Sequence, residues 1–148
     1  MIIAETDNFT IESHEYPEVS RTDGGHLVIN PKVSVEDRTK LTVELVTELA
    51  LLTNVVGNAM KGGLAERGIK LGRINYQDNG NWRPELHVHL YGRAFDATYQ
   101  IYGEPLIAPR KPEDKTPQEP LNKEDCDSIR NKIFIFNKEP GYEKLNIY

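Results

Sequence analysis

Between Thr42 and Met60 the apolar residues Leu45, Leu49, Leu52, Val56 and Met60 recur every three or four positions, the stripe of an amphipathic helix. Thr42 is a suitable N-cap with Glu44 in the first turn, and Gly62-Gly63 predicts the stop. On either side of this helix the pattern shortens to strand-like runs. NFTIESHEYP predicts a first strand, ending where Tyr16 precedes Pro17. The stretch EVSRTDGG reads as a loop bent sharply at Asp23-Gly24-Gly25, after which HLVIN returns as a second strand and stops at Pro31. KLGRINYQ predicts a third strand, DNGNWRP a polar loop with the chain's single tryptophan, ELHVHLYGR a fourth strand and ATYQIYG one more. Residues 103–120 hold five of the nine prolines and read as an irregular connection. Ile129, Ile133 and Phe136 then fall at helical spacing in a C-terminal helix. No internal repeat and no second core is visible. The fold class is therefore α+β: an antiparallel sheet of about five strands with one long helix packed on it and a C-terminal helix.

Composition narrows this picture. A chain of 148 residues suits one domain that buries a core without disulfides. Net charge is −5 with the positive residues scattered, so no basic face for nucleic acid is indicated. Cys126 stands alone, which excludes an intrachain disulfide and fits a reducing compartment. The opening MIIAETDNFT turns acidic too soon for a secretory signal, and no apolar run approaches the roughly 20 residues of a membrane span. The expectation is a soluble, cytoplasmic, single-domain protein without membrane or nucleic-acid partners.

Candidate chemistry sits in ELHVHLYGR. Successive strand side chains point to opposite faces, so Leu86, Val88 and Leu90 share one face and Glu85, His87, His89 and Tyr91 the other. A merely solvated face is served as well by lysine, threonine or glutamate. Imidazoles two residues apart lie about 6.5 to 7 Å apart along a strand. That spacing permits a nucleophile with a neighbouring donor on one phosphate, or two metal ligands completed by Glu85 or by a histidine from elsewhere. Structural histidines at a sheet edge are the third possibility. Both chemical uses require this face to be open, and the polar loop before it suggests an open rim.

ELHVHLYGR resembles the signature of the histidine triad superfamily, His-x-His-x-His followed by apolar residues and often proline-arginine. Matching Arg93 to the terminal arginine puts His89 at the third histidine, His87 at the middle one and Glu85 at the first. GGHLVINPK resembles the family's second conserved strand with its closing proline-lysine, and the long helix follows as it does there. Asn75 falls at the family's asparagine before the phosphate loop. Phe9, His14 and Pro17 reproduce the spacing of a Phe, a ribose-binding Asp and a Pro, with His14 in the aspartate's place. The chain is also similar to bacterial and archaeal proteins labelled diadenosine polyphosphate hydrolases.

What the resemblance implies is a nucleotide phosphohydrolase or nucleotidyl transferase. The middle histidine, His87, attacks the α-phosphorus to form a nucleotidyl-histidine that water cleaves, and His89 stabilises charge on the phosphate oxygens. His87 then needs its other ring nitrogen held, most often by a backbone carbonyl. His14, Asn75, Asn79, Asn81, Trp82 and Glu85 are the candidate nucleotide and phosphate contacts, and His26 is a structural hydrogen-bonding residue. No cofactor or metal is required; the partner is a nucleotide or dinucleotide substrate, and a homodimer through the long helix is possible, as in many relatives. Residues 1–102 form the nucleotide-binding and catalytic domain, and 103–148 a connection and helical extension packed on it. Glu85 and Ser34 stand where relatives carry histidines, with Arg83 or Arg93 available to pair with Glu85. The alternative is therefore a binding module of the same fold with attenuated catalysis.

Overall fold

The computed structural model describes residues 1–78, 80, 83–107 and 116–148. Five strands, β1 (Ile2–Glu5), β2 (Phe9–Ser13), β3 (His26–Pro31), β4 (Leu71–Gln77) and β5 (Val88–Ala94), form one antiparallel sheet in the order β1-β2-β3-β5-β4. Two long helices, α1 (Val43–Glu66) and α2 (Lys123–Phe136), complete the α+β architecture. Phe9 and Ile11 of β2, Leu27 and Ile29 of β3, and Val88 and Leu90 of β5 alternate onto one face. There they meet Leu49, Leu52, Val56 and Met60 of α1 in a single core, which Ile129 and Ile133 of α2 extend. Burying those aliphatic side chains is the main source of stability, at about 1.5–3 kcal/mol for each large one.

The strand count matches expectation, but its membership differs. Ile2–Glu5, too short to stand out from sequence, is the edge strand β1. Residues 97–103, expected as a strand, are bends and turns. The reason is that their amides are already taken. The carboxylate of Asp23, 1 % exposed, accepts from the backbone N–H groups of Thr98, Tyr99 and Gln100 at 2.9, 2.9 and 2.7 Å. Arg93 donates to the carbonyls of Ile101 and Glu104 at 2.7 and 2.9 Å. Asp23 reaches its targets because Gly24, at φ 131°, lies against Gly92 of β5 so closely that a Cβ at position 24 would stand 2.4 Å from the Gly92 carbonyl carbon.

The long helix also outruns its expected stop at Gly62-Gly63. It continues to Glu66 and ends at Gly68, whose φ of +81° accompanies hydrogen bonds from Gly68 N to Ala65 O and from Ile69 N to Leu64 O. That is a Schellman ending, which favours glycine at the left-handed position. Gly63 stays helical because α2 crosses it: a Cβ there would sit 2.8 Å from Cα and N of Ile129. The start of α2 is fixed by a capping box between Asn122 and Asp125. Asp125, fully buried, also accepts two hydrogen bonds from Arg21 at 2.7 and 2.9 Å. Burial alone would raise its carboxyl, but Arg21, the Asn122 amide and Arg67 outweigh that and hold it below the ordinary carboxylate value.

The two adjacent glycines therefore have opposite expected behaviour. Gly63→Ala should destabilise by about 1–3 kcal/mol through overpacking against α2. Gly62→Ala, where the new methyl meets only the Lys132 side chain at 3.5 Å, should stabilise by about 0.5–1 kcal/mol through helix propensity. Denaturant midpoints of the two variants check this; shifts of the same sign would contradict the helix contact as the reason for Gly63.

Candidate functional site

The sheet face away from α1 carries the polar halves of the same alternations. Register sets His26 opposite Tyr91 and Val28 opposite His89, with Asn75 of β4 on the far side of Tyr91. On β2, Glu12 pairs with Val28, and the amide of His14 donates to the carbonyl of His26 at 3.2 Å. Every histidine in the chain thus falls on one patch. His14 stacks on His26 with ring centroids 4.6 Å apart, His26 lies 5.0 Å from His89, and His89 meets His87 edge-on at 4.8 Å. Tyr91 stacks on His89 and closes the far end at 5.4 Å. The face is less open than expected: His87 and His89 are 1 % and 5 % exposed, and only His14 is half-buried.

Backbone groups dictate which nitrogen of each ring carries the proton. A carbonyl can only accept, so the 2.7 Å contact between His87 Nδ1 and Glu85 O puts a proton on Nδ1. An amide can only donate, so the Glu18 N–H at 3.2 Å from His26 Nδ1 leaves that nitrogen bare, and neutral His26 is protonated on Nε2. His26 Nε2 then donates to His89 Nδ1 at 2.8 Å, which leaves the proton of neutral His89 on Nε2. The amide of Tyr16 donates to His14 Nδ1 at 3.1 Å and has the same effect there. With one proton on each ring, His87 alone of the four keeps its lone pair on Nε2.

A cleft of about 330 Å³ opens beside His14, with Glu12, Val28, Asn30 and Arg83 among its walls. Asn30 stands between two charges. Its amide nitrogen donates to Glu12 Oε1 at 3.0 Å, and its oxygen accepts from Arg83 Nη2. Glu12 Oε1 also accepts from Thr10 at 2.8 Å, so the carboxylate is oriented before any ligand arrives. Glu12 and Asn30 are not among the candidates read from sequence, and Arg83 is expected there only as a partner for Glu85. The signal that could have found the first two is alternation: Glu12 shares a face with His14, and Asn30 with His26.

Other candidates stand differently. The Glu85 side chain is exposed, and it is its carbonyl that touches the cluster. Neither expected arginine pairs with it: Arg83 is engaged by Asn30, and Arg93 by Asn75 and the carbonyls after Gln100. Asn75 accepts from Arg93 at 2.8 Å, which ties it to the segment after β5 and not to the imidazoles. Ser34 is exposed. Asn79, Asn81 and Trp82 lie outside the described residues. Among the described residues no group of three or more His, Cys, Asp or Glu side chains is disposed to hold a metal ion.

Burial, then the neighbouring His87, His14 and Arg83, lower the His89 pKa from 6.5 to about 4, so the ring stays neutral at ordinary pH. Unfolded, the same residue binds a proton near pH 6.5. Between those values the unfolded chain holds the extra proton, so this group makes stability fall as pH drops from about 6.5 to about 4, with no further loss below. His89→Gln should flatten the stability profile between pH 6.5 and 5, measured by denaturant unfolding. An unchanged slope would assign the effect to other groups.

The HIT domain family matches residues 2–96. Among solved structures, the fold is similar to a histidine triad protein from Bradyrhizobium japonicum, at 16% identity over 90% of this chain and 90% of that one, with a TM-score of 0.68. It is similar to a hypothetical histidine triad nucleotide-binding protein from Sulfolobus tokodaii, at 19% identity over 95% and 87% of the two chains and a TM-score of 0.62. A zinc-bound histidine triad family protein from Mycobacterium smegmatis matches at 19% identity over 93% and 87%, again with a TM-score of 0.62. No curated protein matches the chain. With the family match spanning most of its length and the imidazoles gathered on the sheet face the signature predicts, the chain belongs to the histidine triad (HIT) family.

Proposed function

We propose that the chain is a nucleotide phosphohydrolase or nucleotidyl transferase that acts at an α-phosphate through a covalent nucleotidyl-histidine on His87. The observation that carries this reading is the proton placement: His87 alone offers an imidazole Nε2 lone pair, because the Glu85 carbonyl holds its Nδ1 proton. In the first step Nε2 attacks the α-phosphorus, a P–N bond forms, and the bond to the leaving group breaks with its electron pair. The proton stays on Nδ1, hydrogen-bonded to the Glu85 carbonyl, which disperses the charge that develops on the ring. In the second step water attacks phosphorus, the P–N bond breaks, and the imidazole is regenerated. Neutral His89, with its proton on Nε2, is suited to donate to phosphate oxygens and does not compete as a nucleophile. The cleft beside His14 offers acceptors at Glu12 and donors at Arg83 for the rest of the ligand. The scheme uses no metal and no cofactor.

Quench-flow with α-labelled diadenosine polyphosphates, nucleoside phosphoramidates and nucleoside triphosphates tests it. Wild-type protein should trap an acid-labile, base-stable adduct, and chelator should leave the rate unchanged. His87→Ala should lose adduct and turnover while binding nucleotide within a few fold of wild type. His89→Ala should lower the rate by roughly 10²–10³-fold, the effect of losing one donor to a developing charge. Nucleotide binding without adduct or product across the set would instead support a binding module, consistent with Glu85 in place of an imidazole.

A further inference from the structure

We infer that the cleft beside His14 selects guanine over adenine, with Glu12 as the residue that decides between them. The inference rests on the reading of this site as nucleotide-binding, and not on the covalent step. Register lays Glu12, Val28 and His89 in one row across β2, β3 and β5, on the imidazole face of the sheet. At about 4.8 Å per strand, Glu12 stands about 10 Å from His89 along this row. A nucleotide with its phosphate at His89 therefore lays its base over Val28 and turns the ring edge toward Glu12. The cleft, about 330 Å³, lies at the small end of ligand sites, and Val28 and Met1 are its apolar walls.

The polar wall has a fixed sense. Arg83 donates to Asn30 Oδ1, and Asn30 Nδ2 donates to Glu12 Oε1 at 3.0 Å. Thr10 donates to the same carboxylate oxygen at 2.8 Å. Both bonds to Glu12 fall on Oε1, and among the described residues none reaches Oε2. The ligand thus meets an acceptor at Glu12 and donors at Arg83, one Asn30 side chain apart. Guanine carries the matching edge: N1–H and the 2-amino group donate to Glu12, and the adjacent O6 accepts from Arg83. Adenine fails at the first contact, because the lone pair on its N1 would face the carboxylate. Cytosine has the same fault at N3, and uracil sets its one N–H between two carbonyl oxygens. In any set of substrates for this site, the preferred member carries guanine.

Calorimetric binding of GMP, IMP, AMP and 2′-deoxy-GMP to the whole protein tests this without any need for turnover. GMP should bind roughly 10- to 100-fold tighter than AMP, the effect of a hydrogen bond to a charged group. IMP keeps N1–H and O6 but lacks the 2-amino group, and should fall between them. In Glu12→Gln, Asn30 still requires an acceptor, so the amide oxygen takes the place of Oε1 and the NH2 group faces the cleft. That variant should lose its preference for GMP and bind AMP more tightly than wild type does, because adenine N1 now meets a donor. Equal affinity of the wild type for GMP and AMP, or an equal loss for both in Glu12→Gln, would overturn the selection. So would a penalty for 2′-deoxy-GMP that disappears in Glu12→Gln, which would assign Glu12 to the ribose. Should the variant fail to fold, the wild-type series of GMP, IMP and AMP still decides. The expected preference without adduct or product would leave this inference standing and count against the covalent step. Binding of no nucleotide at all would overturn both.

Discussion

The register between β3 and β5 is the constraint on which the rest depends. It sets His26 opposite Tyr91, Val28 opposite His89, and Leu27 opposite Leu90. Because strand side chains alternate, a slip of one residue would turn Leu27 and Ile29 toward the cleft and push His26 into the aliphatic core. The burial of Leu27, Ile29, Val88 and Leu90 against α1 therefore fixes the imidazole patch on the opposite face without any direct contact with it. The hydrophobic effect is non-directional, yet through register it places polar atoms to within hydrogen-bonding distance.

Placement alone does not make four histidines different from one another. The backbone does that. Where β5 begins, a carbonyl faces His87; where the loop before β3 turns back, amides face His14 and His26. Charged side chains act at the rim, with Arg83 and Glu12 held apart by the Asn30 amide. The interior of the patch consists of imidazole rings whose donors and acceptors are assigned by main-chain geometry. In a site shielded from water such fixed dipoles need no reorganisation when charge develops.

The parts of the fold legible in sequence are those where a single physical effect decides the outcome. Leu49, Leu52, Val56 and Met60 repeat with helical period because a single face of α1 is buried, and the strands around His26 and His89 alternate because one sheet face is. The illegible parts are those where two effects compete. Glycine at 62 and 63 signals a helix end by propensity, but the approach of Ile129 turns Gly63 into a packing requirement within the helix. ATYQIYG has strand composition, but a buried carboxylate offers its amides a better partner than any neighbouring strand. In the candidate site, His14, His87 and His89 are visible as residue types in a pattern. The importance of the Glu85 carbonyl is not, since every residue has one, and Glu12 and Asn30 look like ordinary polar positions on strands.

Asp23 has one more implication. Its carboxylate grips residues 98 to 100 by their backbone, with the Thr98 hydroxyl adding a longer contact at 3.5 Å. Amide bonds of this kind recognise a path of the chain more than its side chains. A substitution at Tyr99 would leave those amide bonds in place, whereas a change at Asp23 would remove them from a stretch that lies far away in sequence. Gln100 adds a hold of its own, through its side-chain bonds to the Glu18 carbonyl and to Ile107. Part of what shapes this loop thus lies outside it, and alignment of the loop alone would not reveal the contribution of Asp23.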